Sequence, residues 1–458
     1  MPRLIRLSKR GIVFRAHHSV FPTVTRVNAA TFVTGVYPES HGLLGNTVYV
    51  PAVNQLKTLD TGSRANLEAI AQAEGRLLTA PSLGEMLSRA GQILFAAGAG
   101  TSGAAFLLNH TAGTGAIVHP EFTRPADLSA RVFDALGTPP AEAMPNAAQN
   151  RYAVDAYLKI GLDQLQPNLA MIWISDPDHT AHSKGIGSDT TTRALALADA
   201  EIGRLEDSLQ AKGLLDRTNL VVVSDHGFST HTGAFRLEAF LEPFVKRLPD
   251  GSPDVIVAEG AIYLRGAHDA ARVATIAQAL QRRPEVGALF TRSAQPGGLE
   301  GIVPGTLSYD VARWNHPRSG DILASANWTR DPNAAGYAGT TGQSGAAGHG
   351  STSPYDIHGV LIAAGPDFRR GATSDVPTGN VDLAPTLLRL LGLPVLPTMT
   401  GRVIDEAFVT GPAPASVRID RSSATVRTAD GAYTLTAHFS SVTGHRYLDD
   451  TEVTRRMP

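Results

Sequence analysis

Thr25 stands where an extended, proline-containing run, Phe21-Pro22-Thr23-Val24, gives way to a helical pattern with Val27, Ala30, Phe32 and Val33 on one buried face. It therefore sits at or beside a helix N-terminus. Unpaired backbone N–H groups and the helix dipole favour negative charge there. The position suits a phosphate, and also a hydroxyl that must become an alkoxide. Taken alone, the residue is equally served by a plain N-cap role, which is ordinary for Thr.

Four other short motifs carry groups able to act beside it. In Asp178-His-Thr-Ala-His182 the two ends are four residues apart, so one helical turn brings carboxylate and imidazole to one side. That pair suits Zn²⁺ or a similar divalent ion. His179 points elsewhere on such a turn. Asp225 and His226 are adjacent and would diverge in a regular strand, but the turn at Gly227 can bring both onto one ion. Gly348-His349-Gly350 puts an imidazole between two residues that allow close backbone approach. Asn46, after the turn-rich Ser40–Gly45 run, has an amide that can donate to a phosphoryl oxygen, or can serve only to form the turn. His358, at a strand start, is expected to pack or cap.

The elements that must position these groups read as an α/β chain. Met1 to Arg10 reads as an amphipathic helix closed by Gly11, and residues 12–20 as a strand. Helices are expected at 64–74, 82–90, 125–136, 146–165 and 188–212, with a strand at 92–97. Leu169–Ser175 and Leu220–Ser224 are continuous apolar runs of the kind buried in parallel sheets. Both end in the ionisable motifs, and open α/β sheets bind ligands beyond the carboxyl ends of their strands. Strands at 254–264 and 287–291 around a helix at 268–282 suggest an inserted cap. Residues 330–353, rich in Gly, Ala, Ser and Thr, read as loop. A strand at 358–365 and a helix at 380–391 follow, and 416–448 alternates like antiparallel strands.

Composition narrows the chemistry. The chain has 458 residues, 43% of them hydrophobic, enough for a large core. The net charge of −2, without a basic run, gives no sign of a nucleic-acid-binding surface. No apolar run reaches membrane-spanning length. With no Cys, thiolate ligands, Cys nucleophiles and disulfides are excluded, so any metal must be held by His, Asp or Glu. No hydrophobic leader follows the first helix, so compartment is not legible, and neither is oligomeric state.

In this order the motifs resemble the alkaline phosphatase superfamily, and within it the type I phosphodiesterase/nucleotide pyrophosphatase family. The resemblance is carried by Phe21-Pro-Thr-x-Thr25-x-x-Asn28, Thr34-Gly-x-Tyr-Pro-Glu-Ser-His-Gly42, Asn46, Asp178-x-x-x-His182, Asp225-His226-Gly, Gly-His349-Gly and Asn380-Val-Asp-Leu-Ala-Pro-Thr386. It implies a mostly parallel sheet sandwiched between helices, alkaline-phosphatase-like, with an inserted α+β cap. The core is expected at 1–231 and 321–410, the cap at 232–320 and a β-rich extension at 411–458. It further implies two divalent metal ions, usually zinc. Asp178, His182 and His349 would hold the first; Asp225 and His226 would hold the second, beside the Thr25 oxygen. Asn46 and the Thr25 backbone N–H would bind a phosphoryl oxygen. A bound cation lowers a hydroxyl pKa by several units, and two ions suit in-line displacement at phosphorus.

One family feature has no counterpart. A further Asp ligand of the second metal ends a strand upstream of the nucleophile, whereas the first Asp here is Asp60, with Glu39 the only earlier acid. His17 and His18 lie in a strand leading away from the site. The expectation is therefore an absent first core strand, its Asp lying before an initiation site placed too far downstream, and reduced stability and activity of the 458-residue chain. The implied activity is hydrolysis of phosphodiester or pyrophosphate bonds in a small phosphate ester or nucleotide, through a phosphothreonine. Phosphonate hydrolysis and phosphomonoester hydrolysis are the neighbouring alternatives. A catalytically impaired ligand-binding relative is the alternative of another class.

Overall fold

The computed structural model describes residues 1–266 and 269–456. Two sheets carry the chemistry-bearing motifs. In the first, the order is Ala372–Ser374, Ile12–His18, His358–Ala364, Leu220–Val223, with Thr378–Gly379 also pairing with Ile12–His18. Ile12–His18 runs parallel to Ala372–Ser374 and Thr378–Gly379. His358–Ala364 runs antiparallel to both its neighbours. In the second sheet Leu94–Gly98 lies between Ala116–His119 and Leu169–Trp173, parallel to both, and the hairpin strand Phe122–Arg124 closes one side. The expected α/β architecture is present, with parallel and antiparallel pairs mixed.

Leu169–Trp173 and Leu220–Val223 differ from expectation. Both apolar runs suggest fully buried strands, yet every residue of each is only half-buried. The reason is pairing: among the described residues each has a ladder partner on one side only. Their side chains are still inside, since Leu169, Met171, Trp173, Val221 and Val223 all pack against the main core. The flank without a ladder partner is thus a shared feature of these two strands among the described residues.

The helices cover the sheets as the 3.6-residue periodicity predicts. Helix Thr25–Thr34 is buried from Val27 onward and packs against helices Ser102–Leu108 and Leu383–Leu390. Helix Pro2–Arg10 buries Leu7 and rests on the long helix Asp189–Ala211. Asp199 of that helix accepts the Arg3 and Leu4 backbone N–H groups at 3.0 and 2.8 Å, satisfying donors that a helix start leaves free. No described helix is long and apolar enough to cross a membrane.

The cap is a five-stranded sheet of Val255–Ala258, Ala261–Leu264, Ile322–Ala326, Val286–Thr291 and Leu307–Ser308, backed by helix Ala270–Gln281. Position 268, where that helix is expected to begin, lies outside the described residues. Ile322–Ala326 belongs to this sheet, so the cap reaches past the boundary expected at 320. The last segment forms a three-stranded antiparallel sheet, Asp420–Arg427, Tyr433–Val442 and His445–Arg455. Tyr433, Leu435 and Phe439 share a core with Phe290, Tyr309 and Trp314, so the extension buttresses the cap.

Residues 330–353 are not the loop that their composition suggests. Trp328–Pro332, Ala338–Thr341 and Ala347–Gly348 join Ser229–His231 in a small sheet. Small and polar side chains give no hydrophobic alternation, so the pairing leaves no period-two signal. This sheet matters for the site. Gly348 pairs with Ser229, which locks His349 next to the segment carrying His226.

Candidate active site

Thr25 is the first residue of its helix, with Val24 as N-cap. Its hydroxyl lies 3.3 Å from His226 Nε2. Asn46 Oδ1 accepts the Arg26 backbone N–H at 3.0 Å, which ties the Asn46 loop to the same helix start. With its carbonyl so used, the Asn46 amide nitrogen is not needed for this contact.

Asp178 and His182 sit on the short helix Asp178–Lys184, one turn apart, directly beyond strand Leu169–Trp173. His182 Nε2 and His349 Nε2 are each 3.3 Å from Asp178 Oδ1, and 3.2 Å from each other. Their other nitrogens are committed: His182 Nδ1 donates to the Ala347 carbonyl at 3.2 Å, and His349 Nδ1 to the Thr23 carbonyl at 2.8 Å. Both Nε2 lone pairs therefore face Asp178 Oδ1, which is buried without a hydrogen-bond partner. A carboxylate oxygen and two imidazole nitrogens converge on one point, an arrangement that a cation joining them would satisfy. Zinc bonds of about 2.0–2.1 Å in a tetrahedron set ligand atoms roughly 3.3 Å apart. The donor set and spacing fit such an ion.

A second group adjoins. His226 Nδ1 donates to the Gly227 carbonyl at 2.9 Å, so Nε2 is free for a ligand. That nitrogen is 3.2 Å from Asp225 Oδ2 and 3.9 Å from Asp178 Oδ1. The His226 and His349 rings stack with centroids 3.5 Å apart. Asp225, His226 and the Thr25 hydroxyl thus form a second, smaller constellation. The seven residues singled out in the sequence lie in one neighbourhood, where Asp178, His226 and His349 offer ligand atoms close enough to share a metal ion.

Electrostatics follows from this crowding. The depth of the site pushes Asp178 up, yet His182 and His349 outweigh it and hold the carboxyl well below its usual range. Burial lowers His226, but Asp225 and Asp178 raise it to about 9. His349, buried and beside His226, is lowered to about 4.

The remaining histidines lie elsewhere. His179 turns away, 3.3 Å from Glu142. His17 bonds Asn380 and Thr378, and His18 bonds Asp449, so neither replaces the absent carboxylate. His358 packs against His18, the two rings tilted by 60° with centroids 4.6 Å apart. Several residues not singled out prove important. Thr23 Oγ1 donates to the Ser351 carbonyl and accepts the Gly350 N–H, clamping the His349 loop to the nucleophile segment. Asn380 Nδ2 donates to the Asp225 carbonyl at 2.7 Å and to Asn28 Oδ1 at 2.9 Å. Asp356, fully buried, accepts the Ser351 N–H and hydroxyl, while its own carbonyl accepts the Gly227 N–H. Thr23 and Asn380 stand inside motifs of the sequence, whereas the only sequence signal of Asp356 is proximity to one.

A cavity of about 350 Å³ opens beside His349 and Gly350 under the cap. Phe21, Val24, Leu44 and Phe235 line its apolar side, and Arg236, Glu238, Glu259 and Glu285 its polar side.

The sequence profile of the type I phosphodiesterase/nucleotide pyrophosphatase family matches residues 1–346. Human ectonucleotide pyrophosphatase/phosphodiesterase family member 1 is 27% identical over 227 residues, 50% of this chain and 21% of its own. Naja atra venom phosphodiesterase is 27% identical over 261 residues, 57% of this chain and 27% of its own. The chain thus spans about a quarter of the length of these relatives. Among solved structures, murine ectonucleotide pyrophosphatase/phosphodiesterase 5, an inactive threonine-to-alanine variant in complex with AMP, aligns over 86% of this chain and 91% of its own. Its TM-score is 0.60 at 20% identity. The human counterpart covers 89% of this chain and 94% of its own, with a TM-score of 0.58 at 19% identity.

Proposed function

The chain belongs to the type I phosphodiesterase/nucleotide pyrophosphatase family, and from that premise we propose that it hydrolyses phosphodiester or pyrophosphate bonds through a Thr25 nucleophile. Small phosphate esters and nucleotides are the substrate class. The observation that carries the reading is the convergence of Asp178 Oδ1, His182 Nε2 and His349 Nε2, with Thr25 and His226 beside it.

Asp178, His182 and His349 would hold one divalent cation, and Asp225 and His226 another, with zinc the metal favoured by the donors. When bound, these ions supply positive charge that lowers the pKa of the Thr25 hydroxyl and offsets negative charge on the phosphoryl group. The chain does the rest. The helix start at Thr25 and the Asn46 amide orient a nonbridging oxygen. Thr25 Oγ attacks phosphorus; its P–O bond forms as the bond to the leaving alcohol or phosphate breaks. Water then attacks the phosphothreonine, the Thr25–phosphorus bond breaks, and Thr25 regains its proton. The cavity under the cap receives the organic part of the substrate.

The test is hydrolysis of bis-p-nitrophenyl phosphate by the full chain, with and without chelator, beside the Thr25→Ala variant. The diester should be hydrolysed, chelator should abolish turnover, and Thr25→Ala should lose at least about a thousandfold in kcat while still binding metal. Chelator-sensitive turnover by Thr25→Ala at the wild-type rate overturns the nucleophile assignment. Metal binding without turnover in the wild type points to the ligand-binding relative.

A further inference from the structure

Glu259 occupies the turn between cap strands Val255–Ala258 and Ala261–Leu264, with φ of +54°, a conformation uncommon outside glycine. From there its side chain reaches the Asn46 loop. Its Oε2 accepts the Asn46 backbone N–H at 2.8 Å. Gly45 makes room for this contact, since a Cβ there would come within 2.9 Å of Glu259 Oε2 and 2.7 Å of the Thr47 carbonyl oxygen. A carboxylate from the cap thus stands behind the loop that carries Asn46. Two more charges share this corner. Arg26, next to the nucleophile, has a mostly covered side chain 3.5 Å from Asp60, and it feels the charge of Glu259 as well. Arg236, Glu238 and Glu285 line the cavity beyond.

Resting on the reading of Thr25 as nucleophile, we propose that Glu259 is a specificity-determining residue that disfavours a doubly charged terminal phosphate and biases the site toward the singly charged diester. A phosphodiester carries one negative charge, whereas a monoester carries nearly two above its second pKa of about 6. Glu259 and Asp60 together offset the charge that Arg26 would otherwise offer to the extra one. One hydrogen bond separates Glu259 from Asn46, and one more separates Asn46 from the Arg26 backbone beside Thr25, so its charge acts at short range. At that range, in the partly solvated cleft, an added charge is disfavoured about tenfold. Depth in the cleft pushes Glu259 up to about 7, while the Asn46 N–H and Arg26 oppose this, so the carboxylate is ionised at pH 9.

The experiment compares kcat/KM for bis-p-nitrophenyl phosphate and p-nitrophenyl phosphate at pH 9, using the metal-loaded full chain and Glu259→Gln. Glutamine keeps an acceptor for the Asn46 N–H and removes only the charge. The diester-to-monoester ratio should fall about tenfold, through a gain on the monoester, and inorganic phosphate should bind about tenfold more tightly. Mere damage to the turn would lower both rates together. A ratio moved by less than about twofold, with phosphate affinity unchanged, overturns the inference. If the wild type hydrolyses neither ester, the Thr25 reading fails separately, and calorimetric phosphate binding by the two proteins still decides the role of Glu259.

Discussion

The two halves of the proposed metal centre are built differently. Asp178, His182 and His349 come from two elements, and both imidazoles are pinned through Nδ1 to backbone carbonyls. Their three ligand atoms are 3.2–3.3 Å apart, already at the spacing a tetrahedral ion requires. Asp225 and His226 instead share a single turn, beyond a strand whose outer flank is unpaired, and the Thr25 hydroxyl would be their third donor. One half is a closed, preorganised set; the other has two protein donors and the nucleophile. The first should hold its ion whatever the substrate does, while the second should exchange readily and respond to what binds at Thr25.

The largest effect should come from breaking the closed half. Even outer partners of a metal ligand are worth about 10–100-fold in affinity, so His349→Ala should weaken the first ion at least about a hundredfold, measured by competition with a chelating dye. Next, stepwise chelation of the wild-type protein should remove metal in two stages separated by at least about tenfold in chelator, the Asp225/His226 ion leaving first. A single stage would erase the contrast between the halves.

The pH response sharpens the same contrast. In the metal-free protein His226 is raised to about 9, above its ordinary value near 6.5. A proton bound more tightly in the folded state stabilises it, fully below pH 6.5 and progressively less as pH rises through 9. The urea midpoint of chelated protein should therefore fall between pH 6.5 and 9.5, and His226→Asn should flatten that dependence. The smallest effect should follow from Thr23→Val, which removes the hydroxyl that links Ser351 and Gly350 to the nucleophile segment. A loss of about 1–2 kcal/mol in stability is expected, read from denaturant unfolding, together with weaker binding of the first ion.

Much of this site was legible because its side chains sit where local pattern reports them. Asp178 and His182 needed only one helical turn, and Asp225-His226-Gly227 only a strand end followed by glycine. His349 could be named but not placed. Its position depends on Gly348 pairing with Ser229, over a hundred residues away in sequence, through strands with no hydrophobic alternation. Thr23, Asn380 and Asp356 were harder still, since their work lies in buried polar contacts between distant segments. The cap boundary slipped for a related reason: Ile322–Ala326 follows the core's return in sequence order but pairs with Ala261–Leu264 and Val286–Thr291. Helix positions such as 64–74 and 188–212 came through well, because burial of one face leaves a period in the sequence that needs no partner to be recognised.

The unpaired flanks of Leu169–Trp173 and Leu220–Val223 carry a consequence for solvent exchange. In a strand with one ladder, successive amides point alternately toward the partner and toward the open side. Deuterium should therefore label these two strands in alternation, one amide slow and the next fast, although their side chains lie in the main core. Such a striped pattern, a few residues from Asp178 and Asp225, would mark the places where water reaches the backbone of the sheets.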